Sequence, residues 1–132
     1  MEKLIVEAEK FTTKLLNEEL DAAFLYHNLT HTQRVVEKAI LLAEQSDLKE
    51  VEKNVLILAA WLHDTGYIKS IKNHEDESVK IGNTFLKDND CPEADIDVIC
   101  KLILATKMAY TPKTKLEKII RDADCSHIGS KT

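Results

Sequence analysis

The chain has 132 residues, of which 44% are hydrophobic and 31% charged, the balance of a soluble globular domain with one core. Only three glycines and two prolines are available for turns, which disfavours an all-β fold, since that would need a turn every ~8–12 residues. The net charge is −5, and the sequence shows no obvious basic face of the kind that binds long nucleic acid. A bound cation could still attract a small phosphorylated substrate.

The first three helices are predicted from apolar residues that recur at helical spacing. The second helix is expected to begin at a cap residue, Asn28 or Thr30. The third helix is apolar nearly all round over Val55–Leu62, which places it in the middle of the core, and Gly66 is expected to end it. The three predicted helices end near residues 20, 46 and 63.

The second half of the chain is predicted to hold three more helices. The fourth begins at Asn73 or His74, Pro92 is the first residue of the fifth, and the sixth starts near Thr114. We therefore expect an all-α bundle of about six helices, forming a single domain over residues 1–132. The chain stops at Thr132, within or just after a helix, which is what the N-terminal part of a longer protein would show.

Cysteine usage and hydropathy predict a cytoplasmic location. Cys91, Cys100 and Cys125 are odd in number and lack the spacing of a thiolate zinc site, so a reducing compartment is expected. The longest apolar run, Val55–Leu62, is far shorter than the ~20 residues that cross a bilayer. No membrane contact is therefore expected from this segment.

His63 and Asp64 directly follow the apolar third helix, at the edge of the predicted core. An unpaired carboxylate there would cost several kcal/mol, so Asp64 is expected to have a partner. A divalent cation would satisfy both side chains. In the alternative interpretation, His63 caps the helix carbonyls and Asp64 pairs with a surface lysine.

Two other segments carry metal-ligand residue types. His27 and His31 are four residues apart, so a helix would place both on one face. Asp122 and Asp124 are separated by about 200° around a helix, so only one of them can point at a shared centre. Alternatively, both are exposed acids near Arg121.

Together these segments resemble the HD superfamily of metal-dependent phosphohydrolases, whose signature is a His, then a His-Asp pair, then a late Asp. The resemblance covers residues 22–129, and it implies an HD-domain-like helical bundle in which His31, His63, Asp64 and Asp124 are the metal ligands. Asp124 is chosen over Asp122 because the family ligand is the Asp that follows Ala. The matching strings are Tyr26-His-Asn-Leu-Thr-His31-Thr, Ala59-Ala-Trp-Leu-His63-Asp64-Thr-Gly-Tyr67 and Asp122-Ala-Asp124.

The resemblance also implies a reaction: hydrolysis of a phosphoester of a nucleotide or similar small molecule by metal-activated water. Asp64 would accept the proton of that water. His27 lies in a segment similar to cyclic-nucleotide phosphodiesterases and would protonate the leaving oxygen. The ligand set suits Mn, Mg, Fe, Co, Ni or Zn in an open site.

Four further residues have two interpretations each. His74 and Glu75 either contact metal-bound water or substrate, or cap the fourth helix. Lys107 either meets a phosphate or is a solvated lysine at a helix C-terminus. Arg34 either reaches a phosphate or pairs with Glu37 one turn further on.

Two other classes of function are kept as alternatives. One is a nucleotide-binding sensor module with little turnover, which would regulate an attached effector region. The other is a structural helical bundle whose histidines are ordinary core residues. An oligomer is possible in each case.

Overall fold

The computed structural model describes residues 2–130, except for the side chains at positions 23, 26, 27 and 126–130. Within this range the protein has six α-helices, one short 3₁₀ turn and no strand, which confirms the predicted all-α class. The 3₁₀ turn, Thr65–Ile68, lies between the third and fourth helices. The helices are α1 (Glu2–Glu19), α2 (Ala22–Gln45), α3 (Glu50–Leu62), α4 (His74–Asp88), α5 (Glu93–Leu104) and α6 (Lys115–Ser130).

Helix α3 is the centre of the bundle and packs against each of the other five helices. From Asn54 to Leu62 nearly every side chain is buried, as the unbroken apolar run predicts. A buried polar group on α1 is also satisfied here, because Thr12 Oγ1 donates to the Trp61 carbonyl at 3.1 Å. Among helices of the described residues, none is long and apolar enough to cross a bilayer.

The predicted start of α2 at Asn28 or Thr30 is wrong, because the helix begins at Ala22. Asp21 is the cap, and its side chain accepts a hydrogen bond from the Phe24 amide at 3.0 Å. Asn28 is buried inside the helix, where its amide donates to the Phe24 carbonyl one turn back at 2.8 Å. His31 therefore lies well inside α2, where the backbone is fixed on both sides.

Two other boundaries differ in detail. Pro92 is the residue just before α5 rather than its first residue. Gly66 does not end α3, which finishes at Leu62; Gly66 lies inside the 3₁₀ turn, and it has no left-handed backbone.

Gly66 instead permits a close approach between the 3₁₀ turn and α4. A Cβ at this position would lie 1.9 Å from the His74 carbonyl oxygen and 2.6 Å from the Ser78 amide nitrogen. The Gly66 amide also donates to Ser78 Oγ at 2.8 Å. Because Gly66 has no side chain, the first turn of α4 can pack directly against the segment that follows Asp64.

We expect Gly66→Ala to lower the free energy of unfolding by at least about 1–3 kcal/mol, because the added methyl group collides with rigid backbone. Gly82→Ala is the matched control, since its Cβ would meet only side-chain carbons of Ile103 and Leu62, at 3.5 Å or more. That variant should be neutral or stabilised by about 0.5–1 kcal/mol, as alanine is the better helix former. Urea unfolding of both variants tests this, and equal effects would contradict it.

Candidate metal centre

The end of α3 carries a fully buried imidazole, that of His63. Its Nδ1 lies 2.7 Å from the Ala60 carbonyl, and because a carbonyl can only accept, Nδ1 carries the hydrogen and donates. His63 Nε2 lies 3.1 Å from Asp64 Oδ2 and 3.6 Å from Asp124 Oδ1. Yet this buried Nε2 has no hydrogen-bond partner among the described residues.

Helices α2 and α6 bring a second histidine and carboxylate to the same point. His31 Nε2 lies 2.8 Å from Asp124 Oδ1 and 3.5 Å from Asp64 Oδ2. One ligand atom from each of His31, His63 and Asp124 lies within 4.8 Å of the others. The four residues that the family resemblance names as ligands thus converge.

The packing of α2 explains this convergence, because α2 lies against both α3 and α6. On α6, Ala123 is buried against the bundle and Asp124 faces the histidines, whereas Asp122 is exposed. Two residues two positions apart point about 200° away from each other, so the helix can supply only one of these carboxylates.

The charges of the cluster are strongly coupled. Burial by itself lowers the pKa of His63, but the negative charges of Asp64 and Asp124 outweigh it, so that the pKa is raised well above 6.5. Burial would raise the pKa of Asp124, but the hydrogen bond from His31 and the neighbouring His63 ring hold it far below its ordinary value. In the metal-free protein a proton on His63 therefore balances the carboxylates.

These residues fit a divalent metal ion. The His63 Nδ1 donates to a carbonyl, which orients the ring so that Nε2 can serve as a metal ligand, and Nε2 makes no hydrogen bond of its own among the described residues. Two imidazoles with two carboxylates are a mixed nitrogen–oxygen donor set, which suits first-row divalent metals with open coordination positions.

His74, the first residue of α4, extends the cluster on its other side. Its Nε2 lies 3.4 Å from Asp64 Oδ1 and 3.1 Å from Glu75 Oε2, and its Nδ1 is 3.1 Å from the Ile71 carbonyl. Asp64 thus uses Oδ2 towards the two histidines of the ligand cluster and Oδ1 towards His74. The α4 N-cap residue, Asn73, makes no side-chain cap bond.

Tyr67 is a site residue that sequence reasoning missed. Its ring stacks on His74 with a centroid distance of 4.1 Å and an interplanar angle of 13°, and Phe24 packs against it edge-on at 5.8 Å. Burial, followed by the charges of Asp64 and Glu75, raises the pKa of Tyr67 to about 12, so it keeps its proton. The signal in the sequence was the spacing between Asp64 and Tyr67. In a 3₁₀ turn, side chains three residues apart lie on the same side, so Tyr67 falls on the side of Asp64.

The remaining predicted residues lie in three different surroundings. Lys107 Nζ is 3.0 Å from Asp76 Oδ1, and this pair ties the loop after α5 to the first turn of α4. Arg34 lies on the exposed side of α2, one turn after His31. The side chain of His27 falls outside the described residues, so its role as an acid stays a prediction.

Hydrogen bonds from two residues of α6 hold the loop that carries Lys107. Arg121 donates to three loop carbonyls, those of Ala105, Met108 and Tyr110, at 3.1, 3.0 and 2.8 Å. Glu117 accepts from the Tyr110 hydroxyl at 2.9 Å and from the Lys113 amide at 2.8 Å. Lys107 is therefore held by a pre-organised backbone.

The chain belongs to the HD domain family, whose model matches residues 28–128. This match confirms the resemblance in the sequence motifs, and it covers all of the convergent residues. HD domains usually bind divalent metals and are commonly metal-dependent hydrolases. No curated protein and no solved structure shows significant similarity to the chain.

We expect Mn²⁺ binding to release protons, because the raised pKa of His63 keeps it largely protonated in the metal-free protein at neutral pH. Calorimetric titration in buffers of different ionisation enthalpy measures this release. The association constant should rise from about pH 6 to about pH 8 as the competing proton is lost.

Asp124→Asn should weaken Mn²⁺ binding by at least about 10–100-fold, whereas the exposed Asp122→Asn should bind like the wild type. Binding without proton release, or equal affinities for the two variants, would contradict a metal centre at these residues.

Proposed function

We propose that the protein is a metal-dependent phosphohydrolase that cleaves a phosphoester of a nucleotide or a similar small phosphorylated molecule. The observation that carries this proposal is His63 Nε2, a fully buried ring nitrogen between two carboxylates with no hydrogen-bond partner among the described residues. Membership of the HD domain family supports the same chemistry.

In this proposal His31, His63, Asp64 and Asp124 hold the metal. A divalent ion held there supplies positive charge for a phosphate oxygen and lowers the pKa of a water molecule. Asp64 is the group that takes up the proton of the attacking water, and His74, 3.4 Å away, can pass it on. His27 is the proposed acid for the leaving oxygen, by its resemblance alone.

The other side chains of the site bind and orient the substrate. Tyr67 keeps its hydroxyl proton and can donate it to a phosphate oxygen. Lys107 and Arg34 are proposed phosphate contacts, and Lys107 would have to exchange its Asp76 partner for the substrate. The net charge of −5 favours a small substrate over long nucleic acid, and a cytoplasmic location is part of the proposal.

A nucleotide sensor with little turnover is the second candidate. The observation in its favour is that His74 is the only histidine between the His63-Asp64 pair and Asp124. A second tightly held ion would need further nitrogen or oxygen ligands. A site with a single ion could bind a nucleotide and hydrolyse it only slowly.

Asp64→Asn should lower metal-dependent turnover by at least about 100-fold, because it removes both a ligand and the proton acceptor. The assay uses mono-, di- and cyclic nucleotides with Mn²⁺, Mg²⁺, Ni²⁺ or no metal. Asp122→Asn is the control, since Asp122 is exposed on α6 and is not one of the convergent residues.

Turnover that requires metal and is lost only in Asp64→Asn would establish the hydrolase. Nucleotide binding to metal-loaded protein without any product would favour the sensor. A chain that retains neither metal nor nucleotide would rule out both functions.

Tyr67→Phe keeps the stack on His74 but loses the hydroxyl donor, so kcat/KM should fall by about 10–100-fold with metal content and Tm unchanged. Tyr110→Phe is the matched control: it loses the hydrogen bond to the buried Glu117 instead. That variant should lower the unfolding free energy by about 0.5–1.5 kcal/mol and keep kcat/KM, because Arg121 still holds the loop that carries Lys107 through three carbonyls. The reverse pattern would exclude Tyr67 from the reaction.

A further inference from the structure

A groove of about 670 Å³ lies between α1 and α4, and none of the convergent metal-centre residues lines it. Its apolar lining is provided by Phe11 of α1 and by Ile81 and Phe85 of α4. The Phe11 and Phe85 rings stack at a centroid distance of 4.5 Å and bridge the two helices. This volume lies within the range of about 300–1,000 Å³ that is typical of small-molecule sites.

The rim of the groove carries an excess of positive charge on a chain that is acidic overall. Four lysines and three acids line it, which gives a formal charge of +1 against −5 for the whole chain. The four lysines are Lys10, Lys14, Lys69 and Lys80, and the three acids are Glu7, Glu77 and Asp88.

Two of these lysines already have partners. Lys10 lies 4.0 Å from Glu7, and Lys80 lies 3.3 Å from Glu77, each one turn away on its own helix. Within the part of the chain that the structure describes, Lys14 and Lys69 have no ion-pair partner. They are therefore the two lysines available to an anion.

The groove depends on a helix outside the shared family core. The HD domain match begins at residue 28, whereas α1 ends at Glu19, so one wall of the groove is an addition to that core. The other wall adjoins the metal centre along the chain, because α4 begins with His74 and Lys69 follows the 3₁₀ turn after Asp64.

We propose that this groove binds a small amphipathic anion. The apolar or aromatic body of the ligand lies on Phe11, Ile81 and Phe85, and its single carboxylate, sulfonate or phosphate group meets Lys14 and Lys69. An aromatic body is favoured by the exposed part of the Phe11 ring, against which a second ring can stack. The inference is independent of the proposed hydrolase activity.

The test uses 1-anilinonaphthalene-8-sulfonate as a fluorescent probe on the folded, full chain, with decanoate and decanol as competitors. We expect saturable binding at one site, and displacement by decanoate but not by decanol. The double variant K14Q/K69Q should weaken binding by about tenfold or more, because it removes both charge-assisted contacts. K87Q/K118Q changes the net charge equally at exposed positions that do not line the groove, and it should bind like the wild type.

Thr84→Trp supplies a second variant that does not touch the core. Thr84 is an exposed residue of the groove lining, so a tryptophan there fills the groove and should abolish probe binding while Tm is retained. The proposal is overturned if the probe does not bind, if decanol competes as well as decanoate, or if K14Q/K69Q binds like K87Q/K118Q. A parallel measurement uses binding of the protein to anionic phospholipid vesicles. The proposal is also overturned if K14Q/K69Q weakens vesicle binding but leaves probe binding unchanged, since the surface would then be a membrane contact.

Discussion

The constraint on which the rest of the structure depends is the burial of the His63 imidazole at the end of the central helix. A polar ring without solvent must have partners, and one nitrogen finds a carbonyl of its own helix. The other nitrogen, Nε2, lies 3.1 Å from Oδ2 of the next residue, Asp64. Helix α6 adds the Asp124 carboxylate and helix α2 adds the His31 ring, so the bundle can be understood as the arrangement that brings these groups to the buried nitrogen.

The same arrangement makes Asp64 the branching point of the site. Its Oδ2 faces His31 and His63, and its Oδ1 faces His74. The side chain therefore joins the deep part of the cluster to the part lined by Tyr67 and Glu75. Its position is fixed by two neighbours, α3 before it and the 3₁₀ turn after it, and Gly66 lets α4 approach that turn.

The sequence was sufficient for the fold class, the central position of α3 and the family, because periodicity, an unbroken apolar run and a spaced motif are local or linear signals. It was insufficient for the start of α2, since Asp21 and Asn28 are both good capping residues and only packing decides between them. The roles of Gly66 and Tyr67 depend on contacts with α4: Gly66 meets the backbone of its first turns, and Tyr67 stacks on the His74 ring. The α1–α4 groove likewise arises from two helices that are distant in the chain.

The ligand cluster has a further consequence for the chain as a polymer. It joins residue 31 to residue 64 and residue 63 to residue 124, which encloses two long segments of the backbone. A metal ion at that junction would act as a reversible crosslink, and its loss would return the loop-closure entropy of both segments to the unfolded chain. Helix α6 is held at this junction through Asp124, which lies in the interior of the helix. Cellular metal supply would then set how often the last helix detaches and becomes accessible to proteases.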